Sequence, residues 1–203
     1  MTAADLASFE KKIAALYAEG RIKAPVHLRS GREQMMVDVF NQEQIGPDDW
    51  TLGYWDSHEM CLLKGVPPDE LEAAILDGRS ISLCFPEHKI VCSGMAGSLM
   101  GVAVGLAWGI KRQGKTERVF IFLGDMSAEM GIFHEAVKYA HNFDLPVKFV
   151  VLDNGLSVMT PTHDAWGSEK PWFLLAGLEY CIIAEYVSRI IYFRYENGYP
   201  HSG

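Results

Sequence analysis

The stretches Val119-Phe-Ile-Phe-Leu-Gly-Asp125 and Val147-Lys-Phe-Val-Val-Leu-Asp-Asn154 decide the fold of this chain. Each is a continuous apolar run that ends in Asp or Asn, and an amphipathic segment separates the two. Continuous apolar runs are typical of strands buried on both faces of a parallel sheet. The pair therefore predicts a strand–helix–strand unit with Asp125 and Asn154 at the carboxyl ends of its strands, where open α/β sheets bind ligands.

The oxygen atoms at this sheet edge indicate a divalent cation. The Asp125 carboxylate and the Asn154 amide carbonyl, completed by backbone oxygen and phosphate, form a hard-oxygen set that suits Mg²⁺. The alternative is a generic βαβ unit in which an aspartate merely ends a strand, and many α/β proteins contain one. The family resemblance described next favours the cation site.

The same residues carry a family resemblance. Gly124-Asp125, followed by Asp153-Asn154 after residues 127–152, resembles the thiamine-diphosphate motif, written GDG and then NN. From residue 27 to residue 160 the chain resembles the alpha subunit of the two-chain 2-oxo-acid dehydrogenases, the thiamine-dependent E1 component. The resemblance implies an α/β, three-layer thiamine-diphosphate-binding fold with a mainly parallel sheet flanked by helices. Residues 1–203 would form a single diphosphate-binding domain, with residues 1–45 as its N-terminal helical portion.

The resemblance also implies a set of site residues. The expected Mg²⁺ ligands are Asp125, Asn154 and the backbone carbonyl of Leu156. The residues expected to bind the cofactor, thiamine diphosphate, are Gly94, Ala96, Gly124, Asp125, Met126, Ser127 and Asn154. Gly94 and Ala96 would contact the aminopyrimidine ring, and Met126 and Ser127 would face the diphosphate. His58 and His201 are the expected catalytic residues.

Three positions depart from the family pattern. Met126 replaces the second glycine of GDG, which matters if the backbone there needs a positive φ that methionine tolerates poorly. Asp153 replaces the first asparagine, a position without a ligand role in the pattern. Asp56 lies where the family carries an arginine that contacts the diphosphate, and its charge is wrong for a phosphate.

Glycines at every fourth position predict close packing of a helix. Gly97, Gly101, Gly105 and Gly109 would lie on one helical face, although each glycine costs a helix about 1 kcal/mol relative to alanine. Another backbone packed against that face would offset the cost, and the family places such a helix at a subunit interface. A membrane helix is the alternative, but the uncharged run falls short of the roughly 20 residues that a span needs.

A second motif matches in letters alone. Gly109-Ile-Lys-Arg-Gln-Gly114-Lys115-Thr116 fits the phosphate-loop pattern GxxxxGK[ST]. A working phosphate loop follows a strand and opens a helix, so that helix amides point at phosphate. Here the glycines close a predicted helix and a strand follows, which disfavours a nucleotide hydrolase.

Composition excludes other classes. The net charge of −8 disfavours a nucleic-acid surface, and the four cysteines lack metal-ligand spacing. With no secretory leader, they predict reduced thiols in a cytoplasm. Residues 157–166 read as a loop in which His163 either approaches the site or stays at the surface.

The expected function is that of a thiamine-diphosphate- and Mg²⁺-dependent alpha-type subunit of a 2-oxo-acid dehydrogenase. A separate beta-type subunit would supply the catalytic glutamate, in a homodimer or an α₂β₂ assembly through the glycine-bearing helix. The alternatives are the N-terminal subunit of a split transketolase, with a ketose substrate, and a degenerate cofactor-binding scaffold. The chain stops short of the usual alpha-subunit length, so a truncated form is also expected.

Overall fold

The computed structural model describes residues 1–168, 171 and 188–199. The helices in these ranges are α1 (Ala3–Ala18), α2 (Glu33–Gln42), α3 (His58–Leu63), α4 (Pro68–Leu76), α5 (Ser98–Arg112), α6 (Asp125–Ala128), α7 (Gly131–Asn142) and α8 (Thr162–Trp166). The strands are β1 (Trp50–Gly53), β2 (Cys84–Phe85), β3 (Ile90–Cys92), β4 (Val119–Gly124), β5 (Val147–Asp153), β6 (Leu156–Ser157), β7 (Thr160–Pro161) and β8 (Ile190–Arg194). Contacts group the described chain into two compact units, unit 1 (residues 1–94 and 195–199) and unit 2 (from residue 95 to residue 194).

Unit 1 is built on a helix that its sequence specifies closely. The Thr2 side chain accepts a hydrogen bond from the Asp5 amide, and the Asp5 side chain bonds back to the Thr2 amide, which closes a capping box at the start of α1. One apolar face of α1 is buried, and it consists of Leu6, Phe9, Ile13 and Leu16. In the same unit β1 runs parallel to β3, and β2 runs antiparallel to β3.

Unit 2 contains the strand–helix–strand unit that the sequence predicts. Strand β4 pairs in parallel with β5, and β5 pairs in parallel with β8. Residues 119–123 of β4 are all buried, as expected for a strand covered on both faces. Helix α5 packs against α7 and β4. The predicted α/β class, with mainly parallel strands flanked by helices, is confirmed.

The loop predicted for residues 157–166 is wrong. Strands β6 and β7 form a short antiparallel hairpin, and α8 follows directly. Pro161 holds φ at −55° immediately before the helix, and Gly167 ends it with φ at +69°. Proline before a helix and glycine after it are ordinary boundary residues, but five helical residues are too few to produce a recognisable apolar period.

The structure also bears on the phosphate-loop pattern and on the membrane-helix alternative. The phosphate-loop letters lie at the end of α5 and in the turn before β4, so the strand follows the glycines and the motif is not a phosphate loop. Within the described ranges, no helix combines the length and the apolar character that a bilayer crossing demands. Residues 172–187 and His201 lie outside the described residues.

Candidate functional site

The carboxyl ends of the three parallel strands of unit 2 meet at one cavity of about 390 Å³. Asp125 follows β4, Asp153 ends β5 and Arg194 ends β8, and all three side chains line the cavity. Thr162 and Trp166 of α8 line it as well. This is the sheet edge at which parallel α/β sheets bind ligands.

Asp125 is a buried carboxylate in an unfavourable environment for its charge. Its residue is 2% exposed. Burial and the nearby charge of Asp153 raise its pKa to about 6, although the Thr162 hydroxyl and the Asn154 backbone amide act in the opposite direction. Two carboxylates that share a poorly solvated space repel one another. A divalent cation bound to Asp125 would relieve that repulsion.

The turn after β5 positions the other predicted ligands. The Asp153 side chain accepts a hydrogen bond from the Gly155 amide at 2.7 Å, and the Asn154 side chain accepts one from the Leu156 amide at 3.1 Å. These successive side-chain-to-backbone bonds fold the chain back on itself. The Asn154 backbone amide also bonds to the Asp125 carboxylate, so the structure brings Asn154 beside Asp125, two residues before Leu156.

Asp153, which has no ligand role in the sequence motif, has a structural role in this site. Its carboxylate accepts hydrogen bonds from the Tyr192 hydroxyl and from Arg194 Nη1 at 3.3 Å. Burial and the bond to Asp153 raise the pKa of Tyr192 to about 12. The Arg194 guanidinium also covers Gly155, since a Cβ there would lie 3.2 Å from Arg194 Nη2. Asp153 and Arg194 together brace the turn that carries Asn154.

Met126 adopts no strained backbone. It lies in α6 and is absent from the residues with positive φ, so its replacement of glycine carries no conformational penalty. Its sulfur accepts a hydrogen bond from the Trp166 indole nitrogen. Ser127 is buried, whereas Gly124 is exposed, and the proposed contacts of these residues with a diphosphate stay predictions.

The predicted aminopyrimidine contacts lie in the segment before α5. Gly94 is exposed, and its carbonyl accepts a hydrogen bond from the Trp55 indole at 2.7 Å. Ala96 is half-buried two residues later. Their contact with a cofactor ring also stays a prediction.

His58 is enclosed in a polar chain within unit 1. Its Nδ1 lies 2.9 Å from Glu10 Oε2, and its Nε2 lies 2.9 Å from Ser80 Oγ. The order of acid, imidazole and hydroxyl matches that of a hydrolase triad. However, Ser80 has no exposed surface and His58 is 2% exposed, so the arrangement gives a substrate no access to the hydroxyl. The predicted catalytic role of His58 has no support from this geometry and stays a prediction.

Asp56 is the centre of an ion-pair network rather than a free carboxylate. Arg29 Nε lies 2.9 Å from its Oδ2, and Arg32 Nη1 lies 2.7 Å from the same oxygen. Arg32, which is 1% exposed, also binds Glu59 at 2.6 Å. Burial raises the pKa of Asp56, but the charges of Arg32 and Arg29 outweigh it and hold that pKa well below its usual range. Both guanidiniums are therefore already paired within unit 1.

The glycine-bearing helix presents an open face. A Cβ added at Gly101, Gly105 or Gly109 would meet no described atom within 4 Å. Gly97 differs, because it precedes α5 as its N-cap with φ at +77° and lies against Met130. The expected close approach of another backbone is thus not made within the described part of this chain.

Sequence reasoning missed several residues that line the cavity, among them Arg194, Thr162 and Trp166. Arg194 ends β8, so its position at the sheet edge follows from the parallel pairing of β8 with β5. No sequence pattern places Thr162 and Trp166 at this cavity, because the sequence predicts a loop for residues 157–166. His163 lines the cavity and has 52% of its side chain exposed, in agreement with both readings of its position.

The candidate ligand set mixes one carboxylate with an amide and a backbone oxygen. It therefore differs from a cluster of three or more His, Cys, Asp or Glu side chains, and the described residues hold no cluster of that kind. In the same ranges Cys61, Cys84 and Cys92 are free.

Comparison with known proteins places this site in context. The model of a family described as "Dehydrogenase E1 component" matches residues 1–178. The alpha subunit of acetoin:2,6-dichlorophenolindophenol oxidoreductase from Bacillus subtilis is 30% identical over 169 residues, which are 77% of this chain and 50% of that protein. The pyruvate dehydrogenase E1 component alpha subunits of Zymomonas mobilis and Rickettsia felis are 31% and 29% identical, over 77% and 76% of this chain and 47% and 50% of their own lengths. The chain thus spans about half the length of the curated relatives it matches.

Proposed function

The chain belongs to the dehydrogenase E1 component family, and from that premise we propose that it is the thiamine-diphosphate- and Mg²⁺-binding alpha-type module of a 2-oxo-acid dehydrogenase. It would decarboxylate a 2-oxo acid and pass on the acyl group only together with a separate beta-type subunit. We also propose a cytoplasmic location, a compartment that keeps thiols reduced, because Cys61, Cys84 and Cys92 are free cysteines in the described residues.

One observation carries the proposal. The Asp125 carboxylate is buried at the carboxyl end of β4, beside a second carboxylate and beside the turn that presents Asn154. Carboxylate, amide and backbone oxygens are ligands that Mg²⁺ accepts in protein sites, usually together with phosphate oxygens. The donor set therefore fits a magnesium–diphosphate group in its chemistry.

The residues of the chain have separable tasks in this proposal. Asp125, Asn154 and the Leu156 carbonyl would hold the cation, and Gly124, Met126 and Ser127 would face the diphosphate. Asp153 and Arg194 keep the ligand-bearing turn in place through their ion pair at 3.3 Å. When bound, thiamine diphosphate supplies the nucleophile and the electron sink that decarboxylation needs.

A partner chain belongs to the proposal for two reasons. The glutamate that activates the cofactor comes from the beta-type subunit in the family that this chain resembles. The open face at Gly101, Gly105 and Gly109 is also a surface on which a second backbone can approach closely. We propose that this face of α5 packs in a homodimer or an α₂β₂-type assembly.

Calorimetric titration tests the cofactor site. Thiamine diphosphate would be titrated with and without Mg²⁺ into the wild-type chain and into Asp125→Ala, each alone and with a co-expressed beta-type subunit. We expect binding that depends on Mg²⁺ and disappears in Asp125→Ala. Asp48→Asn is the matched control, because that carboxylate lies in unit 1 with 86% of its side chain exposed.

The partner requirement has its own readout. The purified chain should lack 2-oxo-acid decarboxylation and gain it when the beta-type subunit is added. Full activity of the chain alone would contradict the two-chain proposal. Absence of Mg²⁺-dependent binding in every combination would contradict the cofactor proposal.

A further inference from the structure

Helix α8 is attached at both ends to the residues of the candidate cation site. At its first residue, the Thr162 hydroxyl donates a hydrogen bond to Asp125 Oδ2. At its last residue, the Trp166 indole N–H donates to the sulfur of Met126. Residues four apart lie on one face of a helix, so α8 presents a single face to two consecutive residues of the site.

Backbone bonds continue the attachment. The Thr162 amide donates to the Gly155 carbonyl at 2.9 Å, within the turn that carries Asn154. Thr162 thereby connects α8 with both sides of the candidate ligand set, through Asp125 on one side and the turn on the other. Trp166 remains 48% exposed and no residue of α8 is buried, so α8 lies on the surface over the site and is not part of the core.

The hydroxyl proton of Thr162 and a divalent cation compete for the same oxygen atom. A carboxylate oxygen that accepts a hydrogen bond has a lone pair engaged, and a cation draws on those lone pairs too. The bond is charge-assisted, the stronger class of hydrogen bond. An Asp125 engaged in this way is a weaker cation ligand than a free one.

The contact between Trp166 and Met126 depends on a residue that departs from the family motif. The position carries glycine in the GDG motif, and glycine offers no side chain to an indole. Here the methionine sulfur is the acceptor for Trp166, and sulfur and aromatic groups attract one another. The substitution that departs from the motif is therefore the one that holds the far end of α8.

We propose that α8 is a strap that closes the cation site, with Thr162 competing for Asp125 and Trp166 fastened to Met126, so that cation binding requires α8 to detach. The inference rests on the proposed function and adds its regulation: the free chain is held in a closed state, and any contact that lifts α8 raises the affinity for the cation. A partner chain that bound α8 and drew it away from Asp125 would raise the affinity for the cation in this way.

Titration of Mg²⁺ alone into the full chain tests the strap. Thr162→Val keeps the shape of the side chain and removes the hydroxyl, and we expect it to bind Mg²⁺ about tenfold more tightly, which corresponds to roughly 1.4 kcal/mol. Thr162→Ser retains the hydroxyl and should bind like the wild type. Thr160→Val removes a hydroxyl from β7, two residues before Thr162 in the chain, and should also leave the affinity unchanged.

Hydrogen exchange on the wild-type chain gives a measurement that needs no variant. The Gly167 amide donates to the His163 carbonyl at 2.7 Å, and the Thr162 amide is bonded as described above. Both amides should exchange faster once Mg²⁺ is added, because α8 has left its position. Trp166→Phe, which keeps the ring but removes the N–H, should shift Mg²⁺ affinity in the same direction as Thr162→Val.

The outcomes separate this inference from the proposed function. Mg²⁺ binding that Asp125→Ala abolishes but Thr162→Val leaves equal or weaker would overturn the strap and leave the cation site standing. Slower exchange of the α8 amides on Mg²⁺ addition would overturn it as well. Binding in Thr162→Val but not in the wild type would support it strongly, and no binding of Mg²⁺ alone in either protein would overturn the strap, whereas the cofactor site is judged by the separate titration with thiamine diphosphate.

Discussion

Replacing Asp125 by asparagine should stabilise the metal-free chain at neutral pH. The environment of the carboxylate raises its pKa from 3.8 to about 6. One pKa unit corresponds to about 1.4 kcal/mol, so keeping the group ionised in the folded chain costs about 3 kcal/mol of unfolding free energy. Asparagine removes the charge and keeps an oxygen that can accept from Thr162. Sites that bind charged ligands commonly trade stability for function in this way.

The pH dependence fixes the sign of the effect. Between the two pKa values, the folded chain keeps a proton that the unfolded chain has released, so stability falls as pH rises. Below about pH 4 both states are protonated and Asp125 carries no penalty, whereas above about pH 6 the full penalty is present. The advantage of Asp125→Asn should therefore grow by about 2 kcal/mol between pH 4.5 and pH 7.5.

Urea unfolding in the presence of a chelator measures this difference. Asp48→Asn is the control, because that carboxylate has 86% of its side chain exposed and surface changes shift stability by less than about 0.5 kcal/mol. Adding Mg²⁺ and thiamine diphosphate should reverse the order, since ligand binding stabilises only the protein that binds. An Asp125→Asn chain that is no more stable at pH 7.5, or whose advantage does not change with pH, would refute the reasoning.

Three further substitutions have defined outcomes in urea unfolding. Asp56→Asn leaves the buried Arg32 short of one charged partner, so we expect a loss of about 2 kcal/mol at neutral pH; the lowered pKa of Asp56 means that this deficit shrinks as pH falls below about 3.9. Gly155→Ala should lose about 1–2 kcal/mol, because φ there is +71° and the new Cβ would approach Arg194, and its affinity for thiamine diphosphate should fall. Gly105→Ala should instead stabilise the isolated chain by about 1 kcal/mol and weaken its binding to the beta-type subunit, whereas a destabilised chain would show that the open face is filled.

The strands of unit 2 were predictable because their sequences leave little choice. Each of β4 and β5 is a short apolar run that ends in a polar residue, and only a strand covered on both faces suits that pattern. The position of Asp125 and Asn154 at one sheet edge follows from parallel pairing alone. The Thr2 cap and the buried apolar face of α1 are encoded just as locally, by a side-chain hydrogen bond to the first turn and by a helical period.

The contacts around Asp125 were not predictable in the same way. Thr162 lies 37 residues further along the chain, and its segment is too short to show a period. The ion pair of Asp153 with Arg194 also depends on the register of two strands, which no local pattern specifies. A motif identifies which side chains lie at a site, but the pKa of Asp125 depends on neighbours that only the fold supplies.

Asp56 illustrates how a residue can depart from a motif for a structural reason. Read alone, a carboxylate in place of a phosphate-binding arginine argues against an anionic ligand. In the structure, the same carboxylate compensates two guanidiniums, one of them almost fully buried. Removing a partner from a buried charge is costly, so Asp56 belongs to the stability of unit 1 whatever its effect on the cofactor.

The glycines of α5 support the proposed partner chain. Each interior glycine weakens a helix by about 1 kcal/mol relative to alanine, and such a loss persists where close approach of another backbone offsets it. Within the described residues nothing approaches Gly101, Gly105 or Gly109, while the neighbouring Val102 leaves half of its surface exposed. The helix therefore carries the sequence of a packed interface on a face that its own fold leaves open. A second chain on that face would account for the glycines, and the glutamate proposed to come from a beta-type subunit would then lie within the same assembly as Asp125.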